Sequence, residues 1–191
     1  MKSIKDNISN EIIIKNSRFI ALIYKLESND ISNYLEEAKK IYPKATHYCY
    51  GYIYDNIKHS SDDNEPTGTA GQPILNVLEK EELNKVLVIV VRYFGGIKLG
   101  AGGLIRAYTK AVTEALKQLT LIEQEKGYKV EIIYDYPEQN NISYLLQNSI
   151  ILKEEYLEKI KIEVLVNEIT LEKLSKYNPI ILEETYIEKR Y

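Results

Sequence analysis

One stretch decides the fold: Val86-Leu-Val-Ile-Val-Val-Arg-Tyr-Phe94, followed by Gly95-Gly-Ile-Lys-Leu-Gly-Ala-Gly-Gly103. Its first part is a largely aliphatic run, which is typical of a strand buried on both faces of a sheet. Its second part is rich in glycine, the residue that adopts backbone conformations closed to other residues. An amphipathic helix is predicted to follow over Leu104–Leu119. The sequence therefore predicts a central strand, a glycine-rich loop and a helix in immediate succession.

The glycine-rich loop and the helix start after it form the main candidate site, which we interpret as an anion cradle. A glycine-rich loop can aim several backbone N–H groups at one point, and a helix N-terminus adds free donors and partial positive charge. Basic side chains beside them add full charges, and arginine can grip a phosphate with two hydrogen bonds. The candidate residues for binding phosphate or nucleic acid are Arg92, Gly95, Gly96, Lys98, Gly100, Gly102, Gly103 and Arg106.

The same glycines can also serve only a tight turn from strand to helix. Five glycines in nine positions, bracketed by basic residues, exceed what a turn requires, so we favour the anion site. The loop is not a Walker motif, because no Gly-Lys-Ser/Thr ends it, and the Gly-x-Gly-x-x-Gly dinucleotide pattern is also absent. Arg106 is expected in the first turn of the helix, where a cation opposes the helix dipole. That local cost favours a functional role for Arg106.

Three carboxylates, those of Asp62, Asp63 and Glu65, form a second candidate site. Carboxylates this close in sequence can bind Mg²⁺ or act as an acid–base pair. They can equally fix a loop by accepting hydrogen bonds from backbone N–H groups, as Asx turns do, and the sequence leaves both alternatives open. The His47-x-Cys49 pair has no second ligand cluster to complete a metal site, so we expect Cys49 to be buried and inert. No metal and no cofactor is predicted.

The pattern of the remaining sequence changes near residues 122–127. Before this point we predict further strands, a helix through Ile41, a polar loop over residues 55–68 and a helix that begins with a Thr69-Ala-Gly-Gln72 capping box. After Gly127 the order strand-helix-strand-strand-helix-strand is that of a ferredoxin-like βαββαβ domain. We therefore expect an α+β protein with one domain at residues 1–122 and another at residues 128–191.

Charge is distributed unevenly between the two predicted domains. The chain carries 25 basic and 28 acidic residues, and its net charge of −3 argues against a bulk electrostatic nucleic-acid binder. Residues 1–122 hold 16 basic and 14 acidic residues, and residues 86–110 hold four basic residues and no acid. The cationic character is therefore local to the glycine-rich loop. One cysteine and no apolar run of signal-peptide or membrane-spanning length lead us to expect a cytoplasmic protein with no membrane partner.

Two long motifs resemble the signatures of the YigZ/IMPACT family. They are Ser61-Asp-Asp-Asn-Glu-Pro-Thr-Gly-Thr-Ala-Gly-Gln-Pro-Ile-Leu75 and Arg92-Tyr-Phe-Gly-Gly-Ile-Lys-Leu-Gly-Ala-Gly-Gly-Leu-Ile-Arg-Ala-Tyr108. Ser17-Arg-Phe-Ile-Ala21 and Ala45-Thr-His-Tyr-Cys49 are similar to weaker motifs of the same family. The resemblance covers the whole predicted N-terminal domain, and a trailing ferredoxin-like domain is also what bacterial members carry.

This resemblance implies a ribosomal-protein-S5 domain-2-like fold for residues 1–122 and a second domain resembling one from elongation factor G. It also implies a link to translation, because eukaryotic relatives are translation regulators that act by protein–protein contact, and nucleic-acid binding is the usual suggestion for bacterial members. Two residues depart from the family's pattern. Asn64 replaces a common glycine, which is tolerable because Asn accepts a left-handed conformation. Ala101 replaces a common hydroxyl residue, which removes one side chain able to contact phosphate.

Three alternative functions follow. We favour a module that binds RNA or another phosphate-containing ligand in translation regulation. The second is a metal-assisted enzyme that acts on a phosphorylated small molecule with the help of Asp62, Asp63 or Glu65. The third is a regulator that binds another protein in translation control. The sequence leaves open the physiological ligand, whether a reaction is catalysed, whether the carboxylates bind metal, and the oligomeric state.

Overall fold

The computed structural model describes residues 1–189 and confirms the α+β class. The chain divides into two compact units, the first from Met1 to Ile122 and the second beginning at Glu123. The first unit is built from β1 (Lys2–Ile4), β2 (Ile8–Ile14), β3 (Ser17–Lys25), α1 (Ser32–Ile41), β4 (His47–Tyr54), β5 (Ile57–Ser61), α2 (Gly71–Lys80), β6 (Val86–Tyr93) and α3 (Ala101–Leu116).

An antiparallel sheet with the order β2-β3-β6-β4-β5 forms the centre of the first unit. Strand β6 lies in the middle, as predicted from its aliphatic run, and Val86–Val91 are fully buried. Alternate residues of a strand point to opposite faces, so this run supplies both faces of the sheet with apolar side chains. Each fully buried aliphatic side chain contributes about 1.5–3 kcal/mol relative to exposure.

Helices cover both faces of this sheet. The core on one face includes Phe19, Val88 and Val90 together with side chains of α2 and α3. The core on the other face includes Leu87 and Ile89, packed with Ala38 of α1 and with tyrosines of β4. The first unit therefore has three layers, and the end of β6 leads directly into the glycine-rich loop before α3.

The second unit contains β7 (Leu121–Tyr134), α4 (Gln139–Leu145), β8 (Ile150–Tyr156), β9 (Ile160–Asn167), α5 (Glu168–Lys173) and β10 (Ile180–Glu188), with β7 starting at the end of the first unit. Its antiparallel strands follow the spatial order β10-β7-β9-β8. This strand-helix-strand-strand-helix-strand order, with the first and third strands central, is the ferredoxin-like arrangement predicted from the sequence. Its core consists of alternating side chains of β7 and β9 with Ile142, Leu146 and Leu174.

Two predicted element boundaries are wrong. Residues 57–61 form strand β5 rather than a loop, because they pair with β4 through a hairpin whose turn residue Asp55 has a φ of 50°. Helix α3 begins at Ala101 rather than Leu104, so Gly102 and Gly103 belong to its first turn. Arg106 consequently lies in the second turn, and the dipole cost expected for it in the first turn does not apply.

The predicted capping box at Thr69 is also wrong. Helix α2 begins at Gly71 without a side-chain hydrogen bond from its N-cap residue, Ala70. The Thr69 hydroxyl instead donates to the Pro66 carbonyl oxygen at 2.6 Å. The carboxylate of Asp62, eight residues before Ala70, accepts from the N–H groups at the helix start. None of the helices found between residues 1 and 189 is long and apolar enough to span a membrane.

Candidate functional site

The register of the first sheet places three side chains in a row at one end of the face covered by α2 and α3. Arg92 on β6 pairs with Phe19 on β3 and with His47 on β4. Val88 and Val90 precede Arg92 on the same side of β6 and belong to the core beneath the helices. The strand thus carries one cation on an otherwise apolar face, at the point where the glycine-rich loop begins.

Glu65, in the loop between β5 and α2, joins this row to α3. Its Oε1 accepts hydrogen bonds from Arg92 Nη1 and, at 2.8 Å, from the Tyr108 hydroxyl of α3. Its Oε2 lies 3.8 Å from His47 Nε2. Arg92 is 4% exposed and Glu65 is 7% exposed, and Arg92 Nε has no hydrogen-bond partner among residues 1–189. The charge of Arg92 is therefore balanced by a buried carboxylate.

Asp62 and Asp63 use their carboxylates to hold their own loop. Asp62 accepts from the N–H groups of Ala70 and Gly71 at 2.9 and 2.8 Å through Oδ1, and from Gly68 at 2.8 Å through Oδ2. Burial acts to raise the pKa of Asp62, but these backbone hydrogen bonds outweigh it and lower the pKa below the ordinary 3.8. Asp63 Oδ2 accepts from the backbone N–H at position 48 at 2.6 Å. Both acids thus have the geometry of the loop-fixing alternative.

Cys49 lies beneath this loop and is fully buried. Its Sγ is 3.0 Å from the Asp62 carbonyl oxygen and 3.3 Å from the Tyr108 hydroxyl oxygen. Burial raises the pKa of the Cys49 thiol, and burial together with Cys49 and Glu65 raises the pKa of Tyr108. Both groups therefore keep their protons at neutral pH. Within residues 1–189, no group of three or more His, Cys, Asp or Glu side chains is arranged to hold a metal ion.

Different structural features explain why glycine stands at different positions of the loop. At Gly95 an added Cβ would lie 2.1 Å from the carbonyl carbon of Asn16, because the chain crosses the β2–β3 turn there. Gly100 precedes α3 with a φ of 69°, a left-handed value that favours glycine. Gly96 likewise has a left-handed φ, of 83°. Gly102 and Gly103 lie in the first turn of α3, where they are exposed and half-buried.

The N-terminus of α3 is open. Its first intrahelical hydrogen bond is donated by the Leu104 N–H to the Gly100 carbonyl oxygen at 2.9 Å. The N–H groups of Ala101, Gly102 and Gly103 come before it, and such groups need a partner outside the helix. Its N-cap residue, Gly100, supplies no side-chain hydrogen bond, and no acidic residue lies in the first turn. The start of α3 therefore presents three backbone N–H donors that have no partner within the helix, together with partial positive charge.

A cleft of about 370 Å³ lies beside this helix start. It is lined by Thr46, His47, Glu65, Pro66, Arg92, Phe94, Lys98, Leu99, Gly100, Ala101 and Leu104. We call it the first cleft. It brings the buried Glu65–Arg92 pair and the open end of α3 to one concave surface, with exposed Lys98 at the same site.

A second cleft, of about 280 Å³, is lined by Ile14, Lys15, Leu99, Gly103, Arg106, Ala107 and Lys110. Leu99 belongs to both clefts, so they are neighbours. Lys15, Arg106 and Lys110 are exposed, and no acidic side chain lines the second cleft. With Lys98 they form a set of four cations that we call the cationic rim, and in the described chain no member makes a salt bridge.

The structure separates the predicted site residues into distinct positions. Arg92, Lys98 and Glu65 line the first cleft, whereas Arg106 lines the second. The sequence did not predict that Tyr108 would donate a hydrogen bond to Glu65 or that Lys15 would line the second cleft. Tyr108 lies one helical turn after Leu104 on the buried stripe of α3, a periodicity that signals burial but names no partner. Lys15 reaches the site only because β3 pairs with β6.

Comparisons with known proteins point to one family. A family profile described as the Impact N-terminal domain matches residues 15–116. The IMPACT family member YvyE of Bacillus subtilis (strain 168) is 38% identical over 172 residues, covering 87% of this chain and 79% of its own. The IMPACT family member YigZ of Escherichia coli (strain K12) is 34% identical, covering 70% and 68%. A crystal structure of a hypothetical protein is similar with a TM-score of 0.70 at 26% identity, over 99% of this chain and 98% of its own.

Proposed function

The chain belongs to the IMPACT family, and we propose that its first unit is a module that binds RNA or another phosphate-bearing ligand at the first cleft. The observation that carries this proposal is the open N-terminus of α3. Three backbone donors precede the first helical hydrogen bond, and neither a capping side chain nor an acid occupies them. Helix starts of this kind favour anions through their free N–H groups and their partial positive charge.

The cationic rim supports a ligand with several phosphates. Lys98 lies in the first cleft, and Lys15, Arg106 and Lys110 lie in the adjacent one. A single phosphate can contact only one or two of these side chains, whereas a nucleic-acid backbone presents one phosphate per nucleotide. If all four cations contact a single strand, the logarithm of the association constant should fall with that of the salt concentration with a slope of about −3.

The metal-assisted alternative has less support from the same geometry. Both carboxylate oxygens of Asp62 accept backbone hydrogen bonds, and Asp63 Oδ2 accepts another. Glu65 is committed to Arg92 and Tyr108 through Oε1. A Mg²⁺ site needs oxygen ligands that are free to coordinate the ion. The candidate carboxylates instead form hydrogen bonds that hold the loop and the buried Glu65–Arg92 pair.

Substitution of Ala101 tests the proposal while sparing the fold. Ala101 is exposed at the first helical position, so Ala101→Asp adds a negative charge that interacts favourably with the helix dipole but repels a bound phosphate. We expect the variant to melt at or above the wild-type temperature and to bind a fluorescent single-stranded RNA at least about tenfold more weakly. Tenfold is about 1.4 kcal/mol, which lies between the energies of two unit charges about 4 Å apart in water and near a protein surface, about 1 and about 4 kcal/mol. Ala101→Asn is the control for shape, and it should retain binding.

A second pair of variants tests the rim. Lys98→Ala with Arg106→Ala should weaken RNA binding and reduce the salt slope. Lys117→Ala should leave both unchanged, because Lys117, which directly follows α3, is already paired with Glu114 at 2.8 Å. Anisotropy titrations between about 50 and 200 mM salt measure both quantities. RNA binding that is equal in wild type, Ala101→Asp and the double variant would contradict the proposal.

The link to translation belongs to the same proposal. Its measurement is cosedimentation of the full chain with ribosomes, with and without nuclease treatment. We expect association that the Ala101→Asp variant loses and that high salt disrupts. Retention of a protein partner after complete nuclease digestion, with no loss in Ala101→Asp, would instead favour the protein-binding regulator.

A further inference from the structure

The floor of the first cleft carries two hydrogen-bond acceptors side by side. Glu65 Oε1 accepts from Arg92 and Tyr108, but Oε2 accepts no hydrogen bond from any described residue. His47 Nδ1 lies 2.7 Å from the Asp63 carbonyl oxygen, which can only accept, so in the neutral ring Nδ1 carries the proton and Nε2 is left as an acceptor. Oε2 and Nε2 are 3.8 Å apart. Beside a neutral His47 ring, a ligand that fills this floor must therefore present N–H or O–H donors.

The walls of the same cleft are mainly apolar. Pro66, Phe94, Leu99 and Leu104 line it. Phe94 is one of two phenylalanines in the chain and is 47% exposed, so part of its ring is accessible to a ligand in the cleft. A concave site of a few hundred Å³, apolar in its walls with a few convergent polar groups, is typical of small-molecule binding. A flat heterocycle with donor groups on one edge has this shape and polarity.

Charge orients such a ligand. The carboxylate of Glu65 at the floor disfavours a second anion there, whereas the open start of α3 and Lys98 attract one. A nucleotide satisfies both conditions, because its base carries N–H donors and its phosphate carries the charge. Carboxylates accept hydrogen bonds from the amino groups of bases, and enzymes that extrude a base read its pairing edge in a similar pocket.

We propose that the first cleft binds one unpaired nucleobase that presents amino or imino donors to Glu65 and His47, with its phosphate at the start of α3; this rests on the proposed function. Guanine fits this floor best, because its pairing edge carries an imino and an amino donor next to each other. Uracil fits it worst, because its single imino donor lies between two carbonyl acceptors. Phe94 stacks on the base, as aromatic side chains do in single-strand binding.

The test uses the full chain and a ten-nucleotide oligouridine labelled at one end. Three probes differ at one central position, which holds guanosine, uridine or an abasic ribose. We expect the guanosine probe to bind about tenfold more tightly than the abasic probe, which corresponds to one stacked base. Pairing the guanosine probe with its complement should remove this preference. Guanosine monophosphate as competitor distinguishes a free nucleotide from a strand as the source of the base.

Phe94→Ala is the matched variant. It should reduce binding of the guanosine probe to the level of the abasic probe and leave the abasic affinity unchanged. Ile97→Ala is the control, because Ile97 is 46% exposed on the same loop but does not line the cleft. Equal affinity for the guanosine and abasic probes in wild type would overturn the base pocket, while the proposed function would stand if Ala101→Asp still weakened both. Failure of every probe to bind would overturn both.

Discussion

Replacing Glu65 by glutamine keeps the shape of the side chain and removes the negative charge that balances Arg92. Arg92 is 4% exposed and contacts the rings of Phe19 and Phe94, so water reaches its guanidinium poorly after the change. In the part of the chain that the structure describes, its Nε already lacks a hydrogen-bond partner. The variant therefore leaves a buried cation whose remaining partner is a neutral amide.

The loss of folding stability expected for Glu65→Gln follows from this geometry. Removing one member of a buried ion pair typically destabilises a protein by about 3–5 kcal/mol, because the other charge stays uncompensated. A domain of this size has a total stability of about 5–15 kcal/mol, so the change removes a large part of it. We expect the melting temperature of the first unit to fall by about 10–20 °C.

Calorimetry of the full chain measures the change, and hydrogen exchange of peptides from β6 identifies which transition belongs to the first unit. Glu65→Leu combined with Arg92→Met removes both charges and should recover at least about half of the loss, since apolar replacements of buried pairs are often tolerated. The Tyr108 hydroxyl loses its acceptor in this double variant, which limits the recovery.

Glu114→Gln is the control, because Glu114 forms an exposed pair with Lys117 and its loss should leave the melting temperature unchanged. A loss of stability below about 1 kcal/mol for Glu65→Gln, the scale of an ordinary neutral hydrogen bond, would contradict an uncompensated buried charge. A double variant less stable than Glu65→Gln alone would contradict it as well.

Three substitutions near the site give two further predictions. The pKa of Asp62 is lower in the folded protein than the ordinary 3.8. The stability that the ionised carboxylate contributes is therefore present above pH 3.8 and is lost as the pH falls through the folded pKa. Asp62→Asn should remove this loss and flatten a stability-versus-pH curve below about pH 4. Gly95→Ala should destabilise the first unit by about 1–3 kcal/mol, because its Cβ would meet the backbone of Asn16. Gly102→Ala, in the open first turn of α3, should instead stabilise the unit by about 0.5 kcal/mol, and thermal melts of the two variants with opposite signs are the check.

The parts of the fold that the sequence predicted are those with local signals. The aliphatic run at Val86 and the periodic stripe of α3 needed no distant partner to be recognised. Strand β5 was missed because Ile57–Ser61 contains one aliphatic residue, and only pairing with β4 makes it a strand. The α2 cap was assigned to Thr69 because capping boxes are local motifs, whereas the true acceptor, Asp62, comes from farther up the chain.

The same holds for the candidate site: features with a local signal were predictable, and contacts between distant residues were not. The glycine-rich loop and Lys98 were identified by local composition, and the structure places Lys98 in the first cleft and Arg106 in the second. The environment of Arg92 was not foreseeable in this way. Its partner Glu65 is 27 residues away in the chain, and no periodicity links the two. Arginine on an otherwise aliphatic strand indicates that some carboxylate must be near, but only the register of the sheet and the loop geometry identify it.

The burial of Cys49 has a practical consequence for studying this molecule. It is the only thiol in the sequence, and it lies under the loop of Asp62 with its pKa raised by burial. Thiolates react with maleimides and iodoacetamides far faster than buried thiols do. A cysteine introduced at position 98 or 106 of the rim would therefore accept a fluorophore or spin label at that point alone. The native sequence needs no prior removal of its own cysteine for such spectroscopy.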